Sequence, residues 1–244
     1  MTTMIIIITA MRMDTVMVMD SAALYRLMTW MSPSYPVGSF SYSHGLEWEV
    51  EEGTVNDAGS LTRWLCDIVL IGSGRNDAIF LAHAHGVASR GDDETLGRLA
   101  DYALAFAGSA ERRMETEQQG RAFCEVTCRT WGSPTLDRLR ADRSPVIAYP
   151  IAVGVAAVDH GMALMPVLEA YVHAFAANLI SAGVRLVPLG HSDGQRVTIA
   201  IEPAVREAAM DAATGDLSRL ASVTIMADIA SMKHETQYTR LFRS

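Results

Sequence analysis

The sequence predicts an all-α fold, a single-domain helical bundle of about ten helices, on three observations. Half of the residues are hydrophobic while aromatics make up only 7%. Much of the apolar content is Ala, Leu and Met, which favour helices. Apolar residues recur at helical spacing in one segment after another, and no alternating βα pattern is present. Finally, no low-complexity linker or solenoid-like repeat divides the 244 residues, a length sufficient for one large core.

The elements follow in order. Residues 20–31 read as a helix, capped by Asp20 or Ser21, with Leu24, Leu27, Met28 and Met31 on one face. Residues 32–45, SPSYPVGSFSYSHG, end it in an ordered loop rich in Ser, Pro and aromatic residues. A short helix follows over 46–52. The next spans 57–71, with a plausible cap and Leu61, Leu65, Ile68 and Val69 on one face. Three more cover 75–89, 92–107 and 109–130. Gly132, Pro134 and Pro145 mark 131–145 as loop. Apolar helices are expected over 151–159 and 165–180, with a short strand-like signal at 184–187. Residues 194–214 hold one or two helices broken near Pro203, with 197–201 ambiguous between strand and helix, and a last long helix covers 217–233.

The start, MTTMIIII, is too short an apolar run to span a membrane and lacks the pattern of a signal peptide. Residues 1–19 read as a weakly structured extension ahead of a domain over 20–244, and translation could begin at a later methionine. No other segment offers a long uncharged apolar run, so no membrane span is expected. The net charge of −8 argues against nucleic-acid binding, which needs clustered Lys and Arg. Three cysteines, Cys66, Cys124 and Cys128, form no disulfide framework and suit a reducing compartment, so a cytoplasmic setting is expected.

Residues for catalysis are sparse. Gly72-Ser73-Gly74 lacks the lysine and the preceding strand of a phosphate-binding loop. No Gly-x-Ser-x-Gly elbow is present. Cys124 and Cys128 share a helix face and read as core or as soft metal ligands. No three or four ligands stand at zinc-like spacing. A metal-dependent helical hydrolase built on His44, His83, His85 and His234 is the alternative to a protein that works by binding other proteins. The C-terminus is unusual: Arg240 and Arg243 flank Leu241 and Phe242, where chain ends are normally polar. The tail reads as a docking element, as a segment folded back on its own core, or as both.

Three blocks carry a resemblance. The run 27–47, LMTWMSPSYPVGSFSYSHGLE, the run 184–196, VRLVPLGHSDGQR, and the ending 228–244, DIASMKHETQYTRLFRS, closely resemble signatures of the UreF family of urease accessory proteins. Glu111, Arg112, Glu115 and Gly120 resemble the family's central helix, and the likeness covers about residues 22–244. Residues 1–19 match nothing in the family, and His191 stands where glutamine is expected.

The resemblance implies an all-α, dimeric protein that is not an enzyme. It implies binding to UreD (UreH in some organisms), to the GTPase UreG and to the urease apoprotein, in an assembly that delivers nickel to urease. No tightly bound cofactor is implied; nickel is handled transiently by the complex. Arg185, His234, Glu235, Tyr238, Arg240, Leu241, Phe242 and Arg243 are the expected partner-binding residues. Ser39, Ser41, Tyr42, His44 and Glu47 are candidates to line a nickel route. A GTPase-activating role, with an arginine supplied in trans to UreG, stands beside a restraining one.

Overall fold

A computed structural model describes residues 19–142, 146–221 and 223–243; the expectation for the N-terminal extension lies outside them, apart from Met19. Among the described residues there are eleven α-helices, two 3-10 turns and no strand. The all-α fold class is therefore the observed one.

Helix α1 (Ser21–Trp30) buries Ala23, Leu27 and Trp30, whereas Leu24, Tyr25 and Met28 are exposed. The expected face was rotated because Trp30, the largest side chain of the helix, takes the core position. A 3-10 turn (Ser39–Ser41) and α2 (Leu46–Glu51) follow. Helix α3 (Ala58–Ile71) starts at a capping box between Asp57 and Ser60 and buries Leu61, Leu65, Ile68 and Val69. Next come α4 (Ser73–Ala88), α5 (Asp93–Ala105), capped by Asp92, and α6 (Ala110–Thr130), capped by Ser109.

Four expectations needed correction. Residues 131–145 are not all loop: α7 (Pro134–Asp142) begins at Pro134, where a missing N–H costs nothing because the first turn has no acceptor for it. After α8 (Tyr149–Asp159), helix α9 (Leu164–Leu186) runs through the strand-like signal at 184–187. Helix α10 (His191–Ala212) passes through both 197–201 and Pro203 unbroken. Pro203 and Ile199 lie on its exposed side, so the carbonyl deprived of a partner can turn to water. The last helix is shorter than expected. A 3-10 turn (Leu217–Arg219) leads into an irregular segment, then α11 (Ile225–His234). Remote side chains anchor the chain here instead: Asn76 pairs with both backbone groups of Ala221 at 2.9 and 3.3 Å, and Arg75 donates to the carbonyl of Arg219 at 2.7 Å.

The bundle is organised around α4, which packs on α3, α5, α8, α9 and α10, while α6 crosses α8 and carries α11 on its N-terminal end. Helix α8 is buried from Pro150 to Ala157, as expected of a helix apolar all round. Helix α9 is long and apolar enough to cross a membrane by length and composition, yet half of its apolar stretch is buried within the bundle. Its Val167, Leu168, Tyr171, Val172, Ala176, Leu179 and Ile180 face the core, which accounts for its composition. Gly120 sets the spacing of α6: a Cβ there would lie 1.8 Å from the carbonyl oxygen of Ile147.

Candidate functional site

Two buried polar clusters sit on α6, one turn apart. The first forms a waist in the middle of the molecule. Arg112 donates to Glu115 Oε2 at 2.6 Å, lies 3.3 Å from His44 Nδ1, and approaches Asp77 at 3.7 Å. Tyr171 donates to Asp77 at 3.2 Å, and Gln119 donates to Glu115 at 2.8 Å. Asp77 comes from α4, Tyr171 from α9, and His44 from the loop ahead of α2.

His44 is held there at a conformational cost. Its φ is +58°, the left-handed region that a residue with a Cβ rarely adopts. Gly45 follows at φ +79°, and a Cβ on it would meet the backbone nitrogen of Ser231 at 2.6 Å. The chain reverses tightly here so that α11 can lie against it. His44 packs edge-on to Phe175, its Nε2 has no partner, and its side chain is 3% exposed.

Electrostatics at the waist follow from burial. Burial, and then the Arg112 charge, hold His44 well below the ordinary imidazole value, so the ring is neutral. Its 3.2 Å approach to Glu115 is therefore a polar contact and not an ion pair. Burial pushes the Glu115 carboxyl up to about 7 against the opposing pull of Arg112, and raises Asp77 as well. Burial works to lower the Arg112 pKa, but Glu115 and Asp77 outweigh it and the guanidinium stays charged.

A cavity of about 240 Å³ opens beside the waist, lined by Ser39, Phe40, His44, Arg112, Glu115 and Phe175 among others. A second, of about 110 Å³, lies toward Gly108 and Asp228. Asp77, Arg112 and Thr116 line both.

The second cluster clamps the tail. His234, fully buried at the end of α11, points Nδ1 at Glu111 (2.9 Å) and Nε2 at Glu47 (3.1 Å). Burial alone would lower its pKa, but the hydrogen bonds to Glu111 and Glu47 prevail and raise it. Glu47 also accepts the backbone N–H groups of Leu241 (2.7 Å) and Phe242 (2.9 Å). Arg240 donates to Glu111 at 3.1 Å. Phe242 is buried, with the Arg185 guanidinium 4.5 Å from its ring centroid. Arg185 also donates to the Phe40 carbonyl, and the Arg243 N–H donates to that of Ser41 at 2.8 Å. Glu235 accepts from the Ala110 N–H at 3.1 Å and so helps cap α6.

The tail thus folds back on the core through Phe242 while Tyr238 and Leu241 project outward. On α11, Ile225, Met226, Ile229 and Met232 form an exposed stripe opposite the buried Ala230, Ser231 and His234. Of the loop residues singled out in the sequence, Ser39 and His44 line the larger cavity. Ser41 is engaged by the tail, Tyr42 donates to Gln118 at 2.7 Å, and Glu47 belongs to the clamp. Sequence reading did not find Asp77 or Tyr171. The signal was faint: one carboxylate within an apolar helix, whose partner lies 35 positions along the chain in Arg112.

The four histidines of the hydrolase alternative do not converge. His83 bonds the Gly215 carbonyl at 2.7 Å, and His85 bonds that of Met162 at 3.0 Å. His44 and His234 sit in separate clusters, and no group of three His, Cys, Asp or Glu among the described residues is arranged to hold a metal. Cys124 is a core thiol and Cys128 is half-buried beside the core; burial pushes them up to about 12 and about 11. His191 is exposed at the start of α10.

The family model UreF matches residues 55–202. The urease accessory protein UreF of Bradyrhizobium sp. (strain BTAi1) is 50% identical over 226 residues, 93% of this chain and 94% of its own length. That of Rhodopseudomonas palustris (strain BisB5) is 51% identical over 225 residues, 92% of this chain and 93% of its own.

Proposed function

From the premise that the chain belongs to the UreF family of urease accessory proteins, we propose that it acts as a scaffold, binding UreD (UreH) and the GTPase UreG to promote nickel insertion into apo-urease. The relatives are named accessory proteins and not enzymes, and this chain is likewise an accessory protein. In this reading it works in the cytoplasm as a homodimer, holds no tight cofactor, and passes nickel along as cargo.

The observation that carries the reading is the two-sided C-terminus. Its inner side is fixed by the Glu47–His234–Glu111 clamp and by Phe242, while its outer side presents Ile225, Met226, Ile229, Met232, Tyr238 and Leu241. Large apolar side chains exposed in this number are costly to leave in water and suit a protein partner. A rigid base lowers the ordering cost of binding. The larger cavity, with Ser39 and His44 in its lining, supplies room for cargo beside polar groups. Weak, incomplete ligation suits a metal that must be handed on.

The test is the nickel content of urease matured with the full set of accessory proteins. Wild-type chain should give metal-loaded urease, and Leu241→Asp or Met226→Asp should leave urease largely apo while the variant itself stays folded. Normal nickel loading with both variants would overturn the reading of this face.

A further inference from the structure

We infer that residues 240–243 form a proton-locked strap, with His234 as its lock, which holds the turn Ser39–Ser41 in place as a wall of the larger cavity. The number of protons sets the lock. Both ring nitrogens of buried His234 face carboxylates, Nδ1 toward Glu111 at 2.9 Å and Nε2 toward Glu47 at 3.1 Å. An ionised carboxylate only accepts, so the two contacts need two protons, and a neutral imidazole brings one. The charged groups around His234 are Glu47 from α2, Glu111 from α6, and Arg240 from the tail, which bonds Glu111. Its neighbours in the chain, Lys233 and Glu235, are exposed.

The tail hangs on the same carboxylates and reaches from them to the turn. Glu47 accepts the N–H groups of Leu241 and Phe242, and Glu111 accepts from Arg240. The Arg243 N–H then donates to the Ser41 carbonyl at 2.8 Å. Arg185, 4.5 Å from the Phe242 ring centroid, donates to the Phe40 carbonyl at 3.1 Å. Ser39 and Phe40 line the larger cavity. Loss of one proton leaves Glu47 and Glu111, whose side chains are 9% and 6% exposed, short of a donor. Of residues 240–243 only Phe242 is buried, so lifting this segment is the least costly way to let water reach the two carboxylates. Burial pulls the His234 pKa down, but the hydrogen bonds to Glu111 and Glu47 outweigh it and raise it. The lock is therefore closed below the ordinary histidine value and opens as pH rises through the higher folded one. The freed tail releases its hold on Phe40 and Ser41, and the wall of the cavity loosens with it. This device goes beyond the proposed function and is the same whatever partner or cargo the chain meets.

The experiment is amide hydrogen exchange on the full-length chain alone, from about pH 6 to about pH 9, read as protection relative to the unstructured peptide at the same pH. The amides to follow are Leu241, Phe242 and Arg243 in the tail and Ser41 and Tyr42 in the turn, which donate to Gly38 and Ser39. In wild type both sets should lose protection together as pH rises, by about tenfold or more, the worth of one charge-assisted hydrogen bond. Amides of α8 should not change. Glu111→Gln separates a lock from a merely structural contact. Its amide can donate to Nδ1 and its oxygen can still accept from Arg240, so a neutral His234 satisfies both neighbours. That variant should keep its tail protected across the whole range. His234→Gln, checked for folding by circular dichroism, should show low tail protection at every pH and no step. Constant protection of the wild-type tail up to pH 9, a step in the tail without one in the turn, or the same step in Glu111→Gln would each overturn the inference.

Discussion

The waist and the tail clamp are built from the same kinds of side chain, one histidine, one arginine and two carboxylates, and they shift the pKa values of their histidines in opposite directions. At the waist Arg112 takes the carboxylates, and His44 is left neutral with an idle nitrogen. In the clamp Arg240 lies at the rim, its side chain 41% exposed, and buried His234 bonds both Glu47 and Glu111, which raise its pKa and favour the imidazolium. Position decides the outcome. The cation nearest the buried carboxylates satisfies them, and the remaining base loses its proton to desolvation. The waist keeps spare donor capacity around a cavity, whereas the clamp uses both nitrogens of His234 to lock a segment in place.

The largest expected contrast comes from removing the two histidines in turn. His234→Ala strands two buried carboxylates and should cost about 3–5 kcal/mol in urea unfolding. His44→Ala, which removes a neutral ring, should cost only about 1 kcal/mol. Equal costs would mean that the two clusters are not distinguished by charge. Next, Phe242→Ala should weaken tail docking by about 1.5–3 kcal/mol, read as faster amide exchange at Arg240 to Arg243 with the bundle core unchanged.

The two histidines should also give pH dependences of opposite sign. The His234 pKa is raised on folding, so its contribution is complete below the unfolded value and fades as pH rises through the higher folded value. The His44 pKa is lowered, so its contribution holds above the unfolded value and is lost as pH falls through the lower folded value. Unfolding of wild type against His234→Gln from about pH 6 to about pH 9 isolates the first, since the variant should lose the decline with rising pH. A smaller stability effect is expected at Arg185, where Arg185→Ala should cost about 0.5–1 kcal/mol through the lost contact with Phe242.

Much of the fold was legible because local signals and burial agree. Asp57, Asp92 and Ser109 cap the helices that follow them, and the stripe Leu61, Leu65, Ile68, Val69 is the buried face of α3. Proline misled twice, since its effect depends on position: Pro134 opens a helix, and Pro203 is tolerated on an exposed face. The end of the chain was misjudged because the segment ahead of α11 is fixed by Arg75 and Asn76, remote residues that no local pattern reveals. The same limit applies to the site. The tail announced itself through Leu241 and Phe242 between arginines, but His44, Asp77 and Glu115 converge on Arg112 only in the folded chain.

The central claim is that the C-terminus is fixed from within and offered outward to a partner. The direct measurement is size-exclusion co-purification of the full-length chain with UreD (UreH) and UreG, wild type beside Tyr238→Ala/Leu241→Ala. Both side chains are exposed, so the variant should match wild-type stability within about 0.5 kcal/mol. The account predicts a ternary complex for wild type and its loss or marked weakening for the variant. An equally stable complex with the variant, or none with folded wild-type proteins, would contradict it.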